Sequence, residues 1–133
     1  GVIIRTAACL EFPIHIVRPI PFSMSDKRFK GAVMDYIDHC KILNHENWDN
    51  FYSYCEKNNK RVILATTKTN NNLYDFKFKE NDIVLFGKET AGVPDTIHNI
   101  VDDKITIPMS SKTRSLNLAA SVAIIVSKIK GNF

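Results

Sequence analysis

The stretch LFGKETAGVP, residues 85–94, contains an abrupt change of chemistry. The apolar run Ile83–Phe86 leads into it and is typical of a buried strand. The chain then turns polar, with Glu89 placed between Gly87 and Gly92. Gly87 allows a sharp turn and leaves room for a ligand beside the backbone, although a simple turn is the alternative. For Glu89 the alternative is a solvated surface carboxylate. The segment therefore predicts a glycine-flanked binding loop directly after a buried strand.

Strands and helices alternate on both sides of this segment. The predicted strands are IHIV (14–17), CKIL (40–43), RVILAT (61–66), DIVLFG (82–87) and KITIPM (104–109). The predicted helices are the buried Val2–Leu10, a short basic helix capped by Ser25 or Asp26, the amphipathic HENWDNFYSYCEKNN (45–59), PDTIHNI (94–100) and SLNLAASVAIIVSKIK (115–130), which Gly131 stops. This alternation predicts an α/β fold with a mainly parallel sheet, built as a single domain over residues 1–133.

Composition and charge restrict the class of protein. Hydrophobic residues make up 44% and charged residues 24% of the chain, as in ordinary globular domains. No apolar run approaches the roughly 18 residues of a membrane span, and Gly1–Cys9 does not have the pattern of a signal peptide. The three cysteines form no Cys-x-x-Cys, which predicts reduced thiols and a cytoplasmic protein. The net charge of +4 favours a polyanionic partner without establishing one.

No metal site is predicted. The four histidines show no ligand spacing. His39-Cys40 is the nearest approach to a metal-binding pair, but no second pair of ligands joins it.

Ligands of parallel sheets gather at the carboxyl ends of strands. Three predicted strand ends are notable here: Ala65-Thr66-Thr67, Phe86-Gly87 and Ile107-Pro108-Met109. A polar and basic loop follows the third one. Ser115 then opens the last helix and Asn117 lies in its first turn, so helix capping by Ser115 is the alternative to a functional role.

Several segments carry a specific resemblance to a known family. LFGKETAGVP followed by ITIPMSSKTRSLNLAASVAIIV resembles the second and third motifs of the SPOUT methyltransferase superfamily, and GVIIRTAACLEFPIHIVRPIPF resembles the first. SDKRFKGAVMDY and LATTKT are similar to the group that methylates the ribose 2′-hydroxyl of the tRNA wobble nucleotide. The family has a strand and a Pro/Asn turn before the position of Gly1, and Val2 stands where it usually has Asn. The first strand is therefore expected to be absent from this chain.

The resemblance implies a fold and a cofactor. The fold is a parallel-sheet α/β domain whose C-terminal part forms a deep trefoil knot, and the knotted loops bind S-adenosylmethionine. Apolar side chains can form a slot for adenine, and loop backbone can bind its polar edge. The cofactor-binding residues implied in this way are Ala65, Gly87, Glu89, Gly92, Ile107, Met109, Ser115 and Leu116.

The resemblance also implies the reaction, in which a methyl group passes to a ribose hydroxyl without a metal. Its catalytic residues correspond to Arg5, Ser115 and Asn117. Because a guanidinium stays protonated, Arg5 is expected to orient the hydroxyl and stabilise developing alkoxide character rather than act as a base. Ser115 and Asn117 would hold the ribose or the loop, and Glu89 would fix the loop.

The expected partners are a second copy of the chain and tRNA. The family is a homodimer whose last helix lies near the interface, and here that helix is apolar on most faces. A core helix within one chain is the alternative. The tRNA phosphates are expected to meet Arg18, Lys27, Arg28, Lys30, Lys112 and Arg114.

A non-catalytic RNA-binding or scaffold protein that keeps the fold is the alternative function, favoured by the absent first strand and by Val2. A nucleotide-binding oxidoreductase is disfavoured because no Gly-x-Gly-x-x-Gly follows any strand. The sequence leaves open which tRNA is modified and whether its target is cytidine or uridine.

Overall fold

A computed structural model describes residues 2–18, 41–87, 93–109 and 116–132. These residues belong to two compact units, Gly1–Glu56 and Lys57–Phe133. In chain order the elements are α1 (Val2–Leu10), β1 (Ile14–Val17), β2 (Ile42–His45), α2 (Trp48–Lys57), β3 (Arg61–Ala65), a 3₁₀ turn (Leu73–Asp75), β4 (Asp82–Phe86), α3 (Asp95–His98), β5 (Asp103–Ile105) and α4 (Leu118–Asn132). The predicted alternation of helices and strands is confirmed for this part of the chain. The predicted basic helix after Ser25 or Asp26 lies outside the described residues.

All pairs of described strands are parallel, as predicted. In the first unit β1 pairs with β2, and in the second unit the strand order is β4-β3-β5. The described strands thus form two hydrogen-bonded sheets rather than the one that was predicted. The predicted knot depends on the path of residues 88–92 and 110–115, which lie outside the described residues.

Two strands, β2 and β5, differ from their predictions at both ends: they span Ile42–His45 and Asp103–Ile105 rather than 40–43 and 104–109. Strand β2 begins at Ile42 rather than at Cys40, because the register of the sheet pairs Ile42 with Ile14. Strand β5 ends at Ile105, and Thr106 instead forms an isolated parallel bridge with Asn72. In both cases the pairing partner, which lies far away in the sequence, sets the boundary.

Helix α4 differs from its prediction at both ends. It begins at Leu118 rather than at Ser115, and it continues through Gly131 to Asn132. A glycine costs a helix only about 1 kcal/mol relative to alanine, so it can be accommodated in the last turn. Gly131 therefore does not stop this helix.

Strand β3 is the buried centre of the second unit. Val62, Ile63 and Leu64 are 1%, 0% and 0% exposed. Since neighbouring side chains of a strand point to opposite faces, three buried residues in a row mean that both faces of β3 are covered. The cluster around Ile63 also contains Leu73, Phe78, Ile105 and Ile125. Helix α4 thus contributes to this core through Ile125.

Charged side chains hold the amino ends of the three strands of this sheet. Arg61 of β3 faces Asp82 of β4 in the register, and its Nε and Nη2 donate to the two carboxylate oxygens at 2.7 Å each. Asp82 also accepts from the Lys79 N–H at 2.8 Å, and its side chain is only 3% exposed. Towards β5, the carboxylate of Asp102 accepts from the Val62 N–H at 2.7 Å, and the Asp102 N–H donates to the Val62 carbonyl at 3.0 Å. These contacts set the register on both sides of β3.

The first unit packs its helix α1 on the sheet through small side chains. Ala7 and Ala8 are buried against a set of partly buried apolar residues of the same unit, namely Phe12, Ile14, Ile16 and Ile42. Alanine lets the helix approach the strands closely. The prediction was a helix buried on most sides. Because Arg5 and Cys9 are exposed, α1 instead has an exposed side.

A pair of histidines lies between the sheet of the first unit and helix α2. Nδ1 of His15 is 2.9 Å from Nε2 of His45, and the two rings stack with centroids 5.2 Å apart. Phe51 and Tyr54 of α2 lie against both rings, at centroid distances of 5.1–5.8 Å. Burial lowers the pKa of His45. The short contact needs one nitrogen to donate and the other to accept, so it does not tolerate two imidazolium rings.

We expect Asp82→Ala to destabilise the protein by about 2 to 3 kcal/mol, because it leaves the guanidinium of Arg61 without its buried partner. The matched control is Lys68→Ala, which removes the exposed ion pair with Asp95 at 3.7 Å and should change stability by less than about 0.5 kcal/mol. Urea unfolding of both variants measures the difference. Equal midpoints for the two variants would show that the pair with Asp82 contributes no more than a surface pair.

We also expect the protein to lose stability as the pH falls from about 7.5 to 5.5. The folded state lowers the pKa of His45, so in this range the unfolded chain binds a proton that the folded chain resists. His45→Gln should flatten this dependence. Urea unfolding at several pH values is the measurement, and equal slopes for wild type and His45→Gln would contradict the assignment to His45.

Candidate active site

The carboxyl ends of the second unit's strands meet at one edge of the sheet. The register places Ala65 of β3 beside Phe86 of β4 and Ile105 of β5. The Thr66 N–H donates to the Ile105 carbonyl at 2.9 Å, which continues the pairing past the end of β3. Gly87 follows Phe86 directly. Two of the residues predicted to bind the cofactor, Ala65 and Gly87, therefore lie at the same edge.

Ile107 reaches this edge through an extension of β5. Thr106 donates its N–H to the Asn71 carbonyl at 2.8 Å, and its own carbonyl accepts from the Leu73 N–H at 2.9 Å. Ile107 then packs against the same apolar cluster as Ala65 and Phe86. The structure thus brings together three predicted cofactor-binding positions, which come from three different strand ends.

Two further predicted positions, Met109 and Leu116, present apolar side chains to solvent. They are 39% and 40% exposed, which is high for residues of this type. Exposed apolar side chains of this kind can cover a flat, partly apolar ligand such as an adenine nucleoside. Glu89, Gly92 and Ser115, which were also predicted to bind the cofactor, lie outside the described residues.

Asn117 caps helix α4. Its Oδ1 accepts from the Ala120 N–H at 2.8 Å, and its carbonyl accepts from the Ser121 N–H at 3.1 Å. Asn117 thus stands before the first turn and takes the capping role that was considered for Ser115. The Asn117 side chain is exposed, and its NH₂ group is the part of the amide that the cap does not use.

Arg5, the third predicted catalytic residue, belongs to the first unit. It is exposed and lies near the middle of α1. Its helical position is the one that was predicted.

No role was predicted for the segment 71–73. Asn71 and Asn72 in fact connect this segment to β5: Asn71 Nδ2 donates to the Lys104 carbonyl at 3.1 Å, and Asn72 bridges Thr106. A run of asparagines is a local signal for side-chain-to-backbone turns. It does not reveal which strand the segment will join.

The described residues contain no cluster of three or more His, Cys, Asp or Glu side chains that could hold a metal ion. None of the described helices has the length and the apolar character needed to cross a membrane. The residues predicted for the candidate site offer backbone groups, apolar side chains and an amide group, which suit an organic ligand.

Comparison with known proteins gives relatives over nearly the whole chain. The SpoU rRNA Methylase family matches residues 1–127. A protein of Ancylobacter novellus named tRNA (cytidine(34)-2'-O)-methyltransferase is 39% identical over 128 residues, which cover 96% of this chain and 81% of that protein. A match of this extent includes both units.

Solved structures show the same fold. One, from work on the 2-OH methylation of C/U34 on tRNA, has a TM-score of 0.87 and 32% identity, and the match covers 98% of this chain and 88% of that one. A SpoU methyltransferase of Streptomyces viridochromogenes in complex with the cofactor AdoMet has a TM-score of 0.89 at 19% identity and covers 99% of this chain and 54% of that one.

The resemblance to ribose methyltransferases of the tRNA wobble nucleotide, read from the sequence motifs, is thereby confirmed. The matched residues 1–127 include Arg5 and all the residues of the candidate site. The chain belongs to the SpoU rRNA methylase family.

Proposed function

We propose that this protein transfers a methyl group from S-adenosylmethionine to the ribose 2′-hydroxyl of the wobble nucleotide of tRNA. The observation that carries the proposal is the 39% identity to a tRNA (cytidine(34)-2'-O)-methyltransferase across 96% of the chain. The family's own description names rRNA. We favour tRNA because the relative named for it and the structure related to C/U34 methylation are both more than 30% identical to this chain.

We place the methyl donor at the carboxyl edge of the second unit's sheet, β4-β3-β5. Ala65, Gly87 and Ile107 would offer backbone groups, and the exposed Met109 and Leu116 would cover its apolar parts. Glu89, Gly92 and Ser115 complete the proposed set by the motif resemblance. A structure of the same fold with AdoMet bound supports this donor. S-adenosylmethionine, when bound, supplies a sulfonium methyl group that is strongly electrophilic, so the proposed reaction needs no metal.

The protein's task is then to prepare the weaker partner, the ribose hydroxyl. Arg5 would donate hydrogen bonds to the hydroxyl oxygen and stabilise the negative charge that develops as its proton leaves. Positioning of the oxygen in line with the methyl group lowers the entropic part of the barrier. Asn117 would use its NH₂ group to hold the ribose while its Oδ1 caps α4. Ser115 would help Asn117 to hold the ribose or the loop.

We further propose the assembly that the family resemblance implies: a homodimer of single-domain chains, each with a C-terminal trefoil knot. The family match over residues 1–127 supports one functional domain made of both units. The similarity to the structure with a TM-score of 0.87 supports the knot. Helix α4 keeps Ala119, Ala123 and Ile124 only partly buried within one chain, which suits a second copy packing there. A tRNA substrate is consistent with the cytoplasmic location that we propose.

Methyl transfer to tRNA tests the role of Arg5. We expect Arg5→Ala to lower kcat/KM by about 100-fold, since the loss of one donor to a developing oxyanion has an effect of this size. Folding should not change, because Arg5 is exposed. Arg5→Lys keeps the charge but not the fork of donors and should recover only part of the activity. The measurement is transfer of a labelled methyl group, followed by nucleoside mass spectrometry to locate it.

Two outcomes of this experiment would decide against the proposal. Equal transfer by wild type and Arg5→Ala would remove Arg5 from the mechanism. A wild-type protein that binds tRNA but transfers no methyl group would favour the alternative, an RNA-binding protein that retains the fold.

A second substitution separates the two roles of Asn117. Asn117→Ser keeps a capping oxygen, so stability should stay within about 0.5 kcal/mol of wild type, whereas Asn117→Ala should cost about 1 kcal/mol. Both variants lose the amide NH₂ donor, and we expect both to lower kcat/KM by about tenfold, as for one lost hydrogen bond. Urea unfolding and methyl transfer are measured on the same preparations. If Asn117→Ser keeps full activity, Asn117 serves only as a cap.

A further inference from the structure

Tyr74 is an exposed aromatic side chain beside the candidate site. It is 57% exposed, more than any other exposed large apolar side chain among the described residues. A tyrosine ring in contact with water leaves a large apolar surface unburied. Its position in the fold indicates what could cover that surface.

The backbone at Tyr74 is held rigidly. The residue before it, Leu73, is 0% exposed and belongs to the core cluster around Ile63. The Tyr74 N–H donates to Oδ1 of Asn72 at 2.9 Å, and the Asp75 N–H donates to the Asn72 carbonyl at 3.1 Å. A side chain on a fixed turn loses little entropy when it binds, so Tyr74 is suited to recognition.

This turn is attached to the edge where the methyl donor is proposed to bind. Asn72 bridges Thr106, and the Leu73 N–H donates to the Thr106 carbonyl at 2.9 Å. Thr106 directly precedes Ile107 of the candidate site. Tyr74 belongs to the 3₁₀ turn Leu73–Asp75, and it directly follows the residue that is hydrogen-bonded to Thr106.

The charge of the segment suits a polyanion. Residues 66–79 contain three lysines, Lys68, Lys77 and Lys79, against one carboxylate, Asp75. Lys68 also lies 3.7 Å from Asp95, but both side chains are largely exposed, so this pair neutralises little. A segment that combines lysines with an exposed ring is suited to single-stranded nucleic acid, because phosphates can meet the cations and bases can stack on the ring.

We propose that Tyr74 stacks on an unpaired base of the RNA substrate and so positions the strand that carries the target ribose. The inference rests on the proposed function and adds a substrate contact to it. An unpaired base is required, because in a duplex both faces of each base are already covered by neighbouring base pairs. Loops of tRNA offer such bases.

The test compares Tyr74→Ala, Tyr74→Leu and Tyr74→Phe with wild type in binding a synthetic hairpin of the anticodon stem and loop. The loop carries a fluorescent adenine analogue whose emission is quenched by stacking. We expect Tyr74→Ala and Tyr74→Leu to weaken binding by about tenfold, in the range measured for single base–aromatic stacks, and to lose the quenching. Tyr74→Phe should stay within about twofold of wild type and keep the quenching, because it retains the ring.

Two controls separate stacking from other effects. A blunt RNA duplex of similar length should bind wild type and Tyr74→Ala equally, since it offers only phosphates. The affinity for S-adenosylmethionine should also be equal in the two proteins. If instead Tyr74→Ala changes the oligomeric state in analytical ultracentrifugation, the ring is a contact between copies of the chain and the inference is wrong.

The inference and the proposed function can fail separately. Wild type and Tyr74→Ala binding the hairpin with equal affinity and equal quenching would overturn the stacking contact alone. A wild-type protein that methylates no tRNA and binds the hairpin no better than the duplex would overturn both.

Discussion

Burial of β3 on both faces is the constraint on which the second unit depends. Such a strand has both faces covered and both edges paired. Its backbone N–H and C=O groups all find hydrogen-bond partners only if its two neighbouring strands keep one register. That register places Ala65 between Phe86 and Ile105. The candidate site is therefore a consequence of the core: the same pairing that buries Ile63 and Leu64 brings three strand ends together at one edge.

The two ends of this sheet have different tasks. At the amino end, Asp82 and Asp102 engage Arg61 and the backbone of Val62, and these charges serve the register. At the carboxyl end, strand pairing gives way to loops, and the side chains there are amides, hydroxyls and exposed apolar groups. This separation lets a methyltransferase place its ligands where backbone groups are available without weakening the contacts that hold its strands together.

Much of the candidate site could be predicted, because its residues belong to motifs that follow recognisable strands. Ala65, Gly87 and Ile107 were predicted from the motif resemblance, each at or next to a predicted strand end, and all three lie at the carboxyl edge. Capping was considered for Ser115 rather than for Asn117, because both residue types cap helices and the sequence does not mark the first helical turn. The contribution of segment 71–73 was missed, since it depends on a bridge to Thr106.

The sequence by itself determined the family, the order of helices and strands, and the parallel pairing, because apolar periodicity, turn residues and motifs are local or ordered along the chain. Only the tertiary structure decided which distant residues meet. Val62 and Asp102 are 40 residues apart, and His15 and His45 are 30 apart, yet each pair shares a hydrogen bond. Such contacts arise when whole elements pack and select one register, and that selection depends on the combined burial of many side chains rather than on any short segment.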